Sequence, residues 1–383
     1  MIKGSYPIAS FAGRRTPFYF YDTALLRATL EEVKRQLADR PSWQVHYAVK
    51  ANFNPALLRI IAEAGFGADC VSGGEVQAAL DAGFAPASIV FAGVGKSDAE
   101  ISLALEAGIG RFNVESTAEL LVINELALQH GCIAPVSFRV NPDVGAHTHA
   151  NITTGLAENK FGIHHSMLGE ALQLALSLPA VRFYGLHFHI GSQILDMSDF
   201  VALCNRINDC TAQMDRMGLK YEDINVGGGL GIEYGHPNHL PMADFAGYFD
   251  VFKRHLAARC PVHFELGRSI IAPCGTLITR VLYVKEGLYR KFAILDASMT
   301  ELIRPALYHA YHRIENLTSE DPEEKYDVVG PVCESTDVFG KDVELSACHR
   351  GDLIAIRSAG AYGESMASHY NCRPLPESFI QED

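Results

Sequence analysis

Asp223-Ile224-Asn225-Val226-Gly227-Gly228-Gly229-Leu230-Gly231-Ile232 sets a run of glycines directly after a short apolar stretch. Its reading separates the two α/β architectures open to this chain. A doubly wound sheet would bind a dinucleotide through Gly-x-Gly-x-x-Gly at such a turn. Counted from Gly227, the final position falls on Ile232, so that fingerprint fails. No Gly-Lys-Ser/Thr follows, so the stretch is no P-loop. In a (β/α)8 barrel, glycines after a strand can instead expose backbone N–H groups to a phosphate at the C-terminal face. On these residues alone a plain tight turn is an equal alternative.

Outward from this stretch, short apolar runs recur at 45–49, 66–71, 88–92, 111–114, 136–140, 183–190, 223–226 and 262–266. Helix-like segments lie between them at 55–64, 74–82, 98–107, 117–130, 167–178, 199–217 and 242–259. The first three close on Gly65, Gly83 and Gly108, the residue type that ends helices in the left-handed conformation. Eight strands alternating with helices predict a parallel (β/α)8 barrel. After Leu266 the pattern changes: 277–286, 289–296, 326–329 and 353–358 read as strands, and 2–9 and 17–21 can join them. The expected organisation is a barrel over 24–268 and a mostly β domain from 1–23 and 269–383. The polar segment 316–325 is expected to be a surface loop.

The chain has 383 residues, 48% hydrophobic and 20% charged, which is ample for a packed core. A net charge of −13 argues against a nucleic-acid surface. No stretch approaches the roughly 20 apolar residues of a membrane span. Nine scattered cysteines without a Cys-x-x-Cys pair, and a start lacking an apolar signal core, predict a reducing cytoplasm.

The unusual residues fall where strands should end, the catalytic face of such a barrel. Lys50 follows 45–49. A lone lysine usually snorkels at the surface, but a barrel mouth would partly desolvate this one and leave a nucleophilic amine for a carbonyl cofactor. His187 and His189 are two apart and predicted to share a strand face. A metal pair is conceivable, but no third ligand accompanies them, so no metal is expected; a flat imidazole could equally stack on a cofactor ring. Glu265 ends the last barrel strand, where a rim carboxylate could pair with a pyridine nitrogen. Arg304, Tyr308, Cys333, Glu334 and Tyr362 lie in the β region, and none stands out alone.

Together these motifs resemble the fold-type III decarboxylases that use pyridoxal 5′-phosphate (PLP), specifically the diaminopimelate decarboxylase family. The likeness runs from Thr16-Pro17-Phe18-Tyr19-Phe20-Tyr21-Asp22 to Ala359-Gly360-Ala361-Tyr362-Gly363. It implies that Lys50 carries PLP covalently, that His189 stacks on its ring and that Glu265 pairs with its nitrogen. It places Ser192, Gly227, Gly228, Gly229 and the backbone at Leu266, Gly267 and Arg268 around the phosphate, with Tyr362 also at the cofactor. It gives Arg268, Arg304, Tyr308, Glu334 and Tyr362 to the distal end of the substrate. Cys333 would enter from the partner subunit of a homodimer, as the proton donor. The implied reaction is decarboxylation of meso-2,6-diaminopimelate to L-lysine and CO2.

The substrate has a partly physical argument. Its distal end bears a carboxylate, suited to the planar guanidiniums of Arg268 and Arg304, and an ammonium, suited to Glu334. Ornithine and lysine would leave those arginines unpaired, which is a strong basis for rejection. The segment 147–156, with Asn159-Lys160-Phe161-Gly162-Ile163, carries the same resemblance. Leu266 stands where the family usually has Pro, and Gly145 where many relatives have Asp. Competing readings are a decarboxylase of carboxynorspermidine, arginine or ornithine, an amino-acid racemase, and a non-enzymatic PLP-binding homologue.

Overall fold

The computed structural model describes residues 6–11, 13–142, 160–237 and 241–381. Gly145 and the segment 147–156 fall outside them. The chain divides into two compact units, one of Leu30–Gly231 with Asp244–Gly267, the other of Met1–Thr29, Ile232–Ala243 and Arg268–Asp383.

The first unit is the expected barrel. Its strands are Trp43–Ala48, Gly67–Cys70, Ile89–Phe91, Arg111–Val114, Ala134–Asn141, Val181–His187, Asp223–Asn225 and Val262–Leu266. Each pairs in parallel with the next, and the last pairs with the first, closing the sheet. Strands covered on both faces need near-continuous apolar runs, which is why the runs were visible in the sequence. Three βα turns repeat one device. The hydroxyls of Ser72, Ser97 and Ser116 accept the backbone N–H of Glu75, Glu100 and Glu119 three residues on. Each such cap contributes about 1 kcal/mol. The glutamates reach back in turn, Glu75 to the Val71 N–H and Glu119 to the Glu115 N–H, which ties strand ends to helix starts.

The last strand is held from behind. Phe264 is fully buried among Tyr248, Phe249 and Phe252 of the helix Phe245–His255, ring centroids 5.0 to 5.9 Å apart. Alternation along the strand turns the neighbouring Glu265 to the opposite face.

The second unit holds one eight-stranded sheet. It is formed by Phe18–Tyr21, Gly275–Glu286, Lys291–Leu295, Ile314–Asn316, Glu323–Val329, Val338–Ser346, Leu353–Ile356 and Glu377–Ile380. Phe11, Phe18, Phe20, Ile278 and Leu353 centre its core. Three expectations need correction. Ile8–Phe11 is a short helix where a strand was expected over 2–9, and 2–5 lie outside the described residues. The strand expected over 183–190 is Val181–His187 and stops before His189. The polar segment 316–325 is a largely exposed loop only over 317–322: Asn316 ends one strand, its Oδ1 accepting the N–H groups of Thr318 and Ser319, both at 3.1 Å, and Glu323 begins the next.

Candidate active site

Lys50 sits in the single turn Val49–Ala51 that follows the first barrel strand. Its amine lies 3.4 Å from Asp69 Oδ2, on the adjacent strand. Asp69 is fully buried. Burial and the nearby Glu265 push its carboxyl up to about 7, against the pull of Lys50. It can therefore hold or release a proton near neutrality beside the lysine amine.

Glu265 is the anionic centre of the mouth. Asn225 Nδ2 donates to it at 2.7 Å, His187 Nε2 at 3.0 Å and Asn113 Nδ2 at 3.2 Å. Burial alone would raise its carboxyl; the hydrogen-bonded His187, Lys50 and His189 outweigh this and hold it well below the usual carboxylate range. His187 and His189 thus have different hydrogen-bond partners. His189 Nδ1 accepts the Gly228 N–H at 3.3 Å. Burial first, then the positive charge of Arg139, depresses its imidazole and keeps it neutral.

The triple glycine is explained by closeness. A Cβ on Gly228 would lie 1.8 Å from Glu265 O, one on Gly227 2.2 Å from Phe188 O, and one on Gly229 2.7 Å from Gly191 O. Gly227 and Gly229 also take φ of +72° and +106°, where side chains are strained. Two of the three amides are already engaged, Gly227 with Asn225 Oδ1 at 2.9 Å and Gly228 with His189. The loop bearing Ser192 is joined to this run: Ile194 N–H donates to Gly229 O and Gly231 N–H to Ile194 O, both at 2.9 Å. Gly267 fits against Ala48 and Ala51, and the buried Leu266 ends the strand.

PLP is a group these residues fit. Asp69 Oδ1, Asn113 Oδ1 and His187 Nδ1 are buried with no hydrogen-bond partner among the described residues, so polar capacity is left over around the amine and the anion. A carbonyl compound with a protonatable ring nitrogen matches that donor set.

In the second unit, Arg268 and Arg304 are both buried. Arg268 Nη1 donates to Tyr234 Oη at 2.9 Å, and its guanidinium lies 4.9 Å from the centre of the Tyr362 ring. The Arg304 guanidinium lies 5.1 Å from the centre of the Tyr234 ring and donates to His312 Nε2 at 2.8 Å. Tyr308 ends the helix Arg304–Tyr308 and acts electrostatically on Arg268. The structure therefore brings Arg268, Arg304, Tyr308 and Tyr362 together. Cys333 and Glu334 are exposed on a separate loop. Asp337 pins that loop by accepting the Val332 N–H at 2.8 Å, while Glu334 takes a short hydrogen bond from the Tyr370 hydroxyl.

Asp69, Asn113, Asn225, Tyr234 and His312 escaped the sequence reading. For the first three a signal existed, a polar residue in the last two positions of an apolar barrel strand. Tyr234 and His312 carry no comparable local mark.

Comparison with known proteins agrees with this geometry. Residues 23–279 match the family of the pyridoxal-dependent decarboxylase, pyridoxal binding domain. A diaminopimelate decarboxylase of Bacteroides thetaiotaomicron is 60% identical over 384 residues, covering 100% of both chains. One from Archaeoglobus fulgidus is 45% identical over 94% of this chain and 86% of its own. The crystal structure of the Helicobacter pylori diaminopimelate decarboxylase complexed with L-lysine superposes with a TM-score of 0.93 at 40% identity, covering 98% of this chain and 94% of that one. The chain belongs to the diaminopimelate decarboxylases, within the pyridoxal-dependent decarboxylase family.

Proposed function

We propose that this chain decarboxylates meso-2,6-diaminopimelate to L-lysine and CO2 with PLP held on Lys50, and that the buried anion Glu265 beside that lysine is the observation that carries the reading. When bound, PLP supplies the sink for the electron pair left as the carboxylate departs. Glu265, held as an anion by three donors, would pair with the cofactor's ring nitrogen and favour its protonated form. His189, neutral, would pack against the cofactor ring. Ser192, the Gly229 amide and the backbone at Leu266, Gly267 and Arg268 would hold the phosphate, since the other two glycine amides are already engaged. Asp69 exchanges a proton with the Lys50 amine. Arg268 and Arg304 receive the distal carboxylate, with Tyr308 and Tyr362 beside them, and Glu334 the distal ammonium.

Cys333, exposed on a pinned loop, returns the proton to the α-carbon from the partner subunit of a homodimer. A loop held by Asp337 yet open to solvent supports that role. Nine free cysteines support a cytoplasmic setting. Among the described residues no helix is long and apolar enough to cross a membrane.

The test is CO2 release by the purified protein from meso-diaminopimelate beside lysine, ornithine, arginine and carboxynorspermidine. Turnover of another substrate without diaminopimelate would overturn the substrate. Borohydride-trapped PLP on a Lys50→Ala variant would overturn the cofactor anchor.

A further inference from the structure

Arg304 is 4% exposed, its Nε has no hydrogen-bond partner, and no carboxylate among the described residues lies within ion-pair distance of it. Its nearest polar company is Tyr234, His312 and the like-charged guanidinium of Arg268. A guanidinium only donates, so at 2.8 Å His312 Nε2 must accept from it. His312 Nδ1 then carries the proton and donates to Arg357 O, also at 2.8 Å. Both ring nitrogens are spoken for in one neutral tautomer. Protonating Nε2 would delete the acceptor and set a second cation against Arg304.

Tyr234 sits beside His312. Its hydroxyl accepts from Arg268, its ring lies under Arg304, and the His312 ring meets it edge-on at 5.1 Å. The two arginines are thus oriented by a phenol and a neutral imidazole, which fix direction without cancelling charge.

Resting on the diaminopimelate reading above, the geometry points to Tyr234 and His312 as specificity-determining positioning residues: neutral acceptors that aim Arg268 and Arg304 while leaving their charge for the distal carboxylate of the ligand. A carboxylate in either place would hold the arginines equally well and abolish selection. Arg304 Nε gives an incoming carboxylate a donor that no group among the described residues occupies. His312 and Tyr234 contact the two arginines, so they act on binding of the distal end rather than on the chemical step.

The experiment uses the holoenzyme and two probes, L-lysine and 1,5-diaminopentane. Both present an amine, and only the first carries a carboxylate. In His312→Glu the KM for diaminopimelate and the Kd for L-lysine are expected to rise about 10- to 100-fold, with kcat within about threefold and the Kd for 1,5-diaminopentane unchanged. His312→Gln, which keeps an acceptor, recovers most of the affinity lost in His312→Phe. In Tyr234→Phe the same selective loss appears at a few-fold size. Unchanged L-lysine binding in His312→Glu, or equal loss of both probes, overturns the proposal. Should His312→Glu fail to fold, Tyr234→Phe decides, and a wild-type ratio of the two probes in it overturns the proposal. Absence of diaminopimelate turnover by the wild type would instead refute the function above, while binding of the two probes would still report on this inference.

Discussion

Acid should unfold the barrel through His46, in a direction fixed by its burial. The ring is 3% exposed, with Nδ1 3.0 Å from Ser88 O and Nε2 2.9 Å from His263 Nδ1. Ser88 O can only accept, so Nδ1 carries the proton and Nε2 accepts from His263. Burial, then His263 and Arg111, pull the imidazole from 6.5 down to about 3, with Glu265 opposing. A histidine whose folded value is depressed contributes its full stability above 6.5. That contribution is lost as pH falls toward 3, because the unfolded chain binds the proton first. The slope in that window is about 1.4 kcal/mol per pH unit, or roughly 2 kcal/mol between pH 6.5 and 5. Trp43, the one tryptophan, lies on the same strand and 5.3 Å from Phe264, so its fluorescence follows this unit. Urea melts at half-unit steps from pH 7.5 to 5 are expected to show the slope, and His46→Gln to lower it by about one proton. Equal slopes in both proteins would refute the assignment, whatever the variant does to absolute stability.

Glu265→Gln keeps the shape but removes the charge, and kcat/KM for CO2 release is expected to fall about 10²- to 10³-fold; a loss under fivefold would contradict the role of Glu265. Phe264→Ala empties the space among three aromatic rings behind Glu265 and should destabilise the barrel by about 3–5 kcal/mol in the Trp43 melt. In Gly228→Ala the new methyl meets Glu265 O at 1.8 Å, so PLP titration should show affinity weakened about tenfold or more, and an unaltered titration would argue that the loop can yield.

Legibility followed physical cause. The barrel could be read because parallel strands buried on both faces must be apolar, and their ends line up with breaks in that pattern. Lys50, His189, Gly228 and Glu265 were visible because each interrupts an apolar run at one register. The strand over 183–190 was drawn too long because Phe188 and Ile190 are buried as deeply as strand residues while the backbone has already left the ladder, and burial is what composition reports. The strand Val338–Ser346 was missed because only Phe339 and Leu345 in it are buried, while Lys341, Asp342 and Glu344 interrupt the apolar residues. Segment 316–325 was read correctly as exposed over most of its length, but its ends were missed, because the polar Asn316 and Glu323 each belong to a strand.

The arginines show why the substrate end was harder to read than the cofactor end. Arg111 and Arg139 in the barrel, and Arg357 and Arg373 in the β-rich unit, all meet a carboxylate: Asp223 at 2.8 Å, Glu115 at 2.9 Å, Glu315 at 2.9 Å and Glu301 at 3.3 Å. That is the ordinary fate of a buried cation, since an unpaired one costs several kcal/mol. Arg304 departs from the rule within the same unit, and its sequence neighbourhood gives no sign of it. The departure lies in what surrounds the residue, a phenol and a neutral imidazole drawn from segments 70 residues or more upstream and 8 residues downstream. A fold that supplies carboxylates to those four arginines, and a phenol and an imidazole to Arg304, keeps a buried charge at the expense of stability. The compensation must come from an anion that arrives with the ligand, and a diamino acid bearing a distal carboxylate brings one.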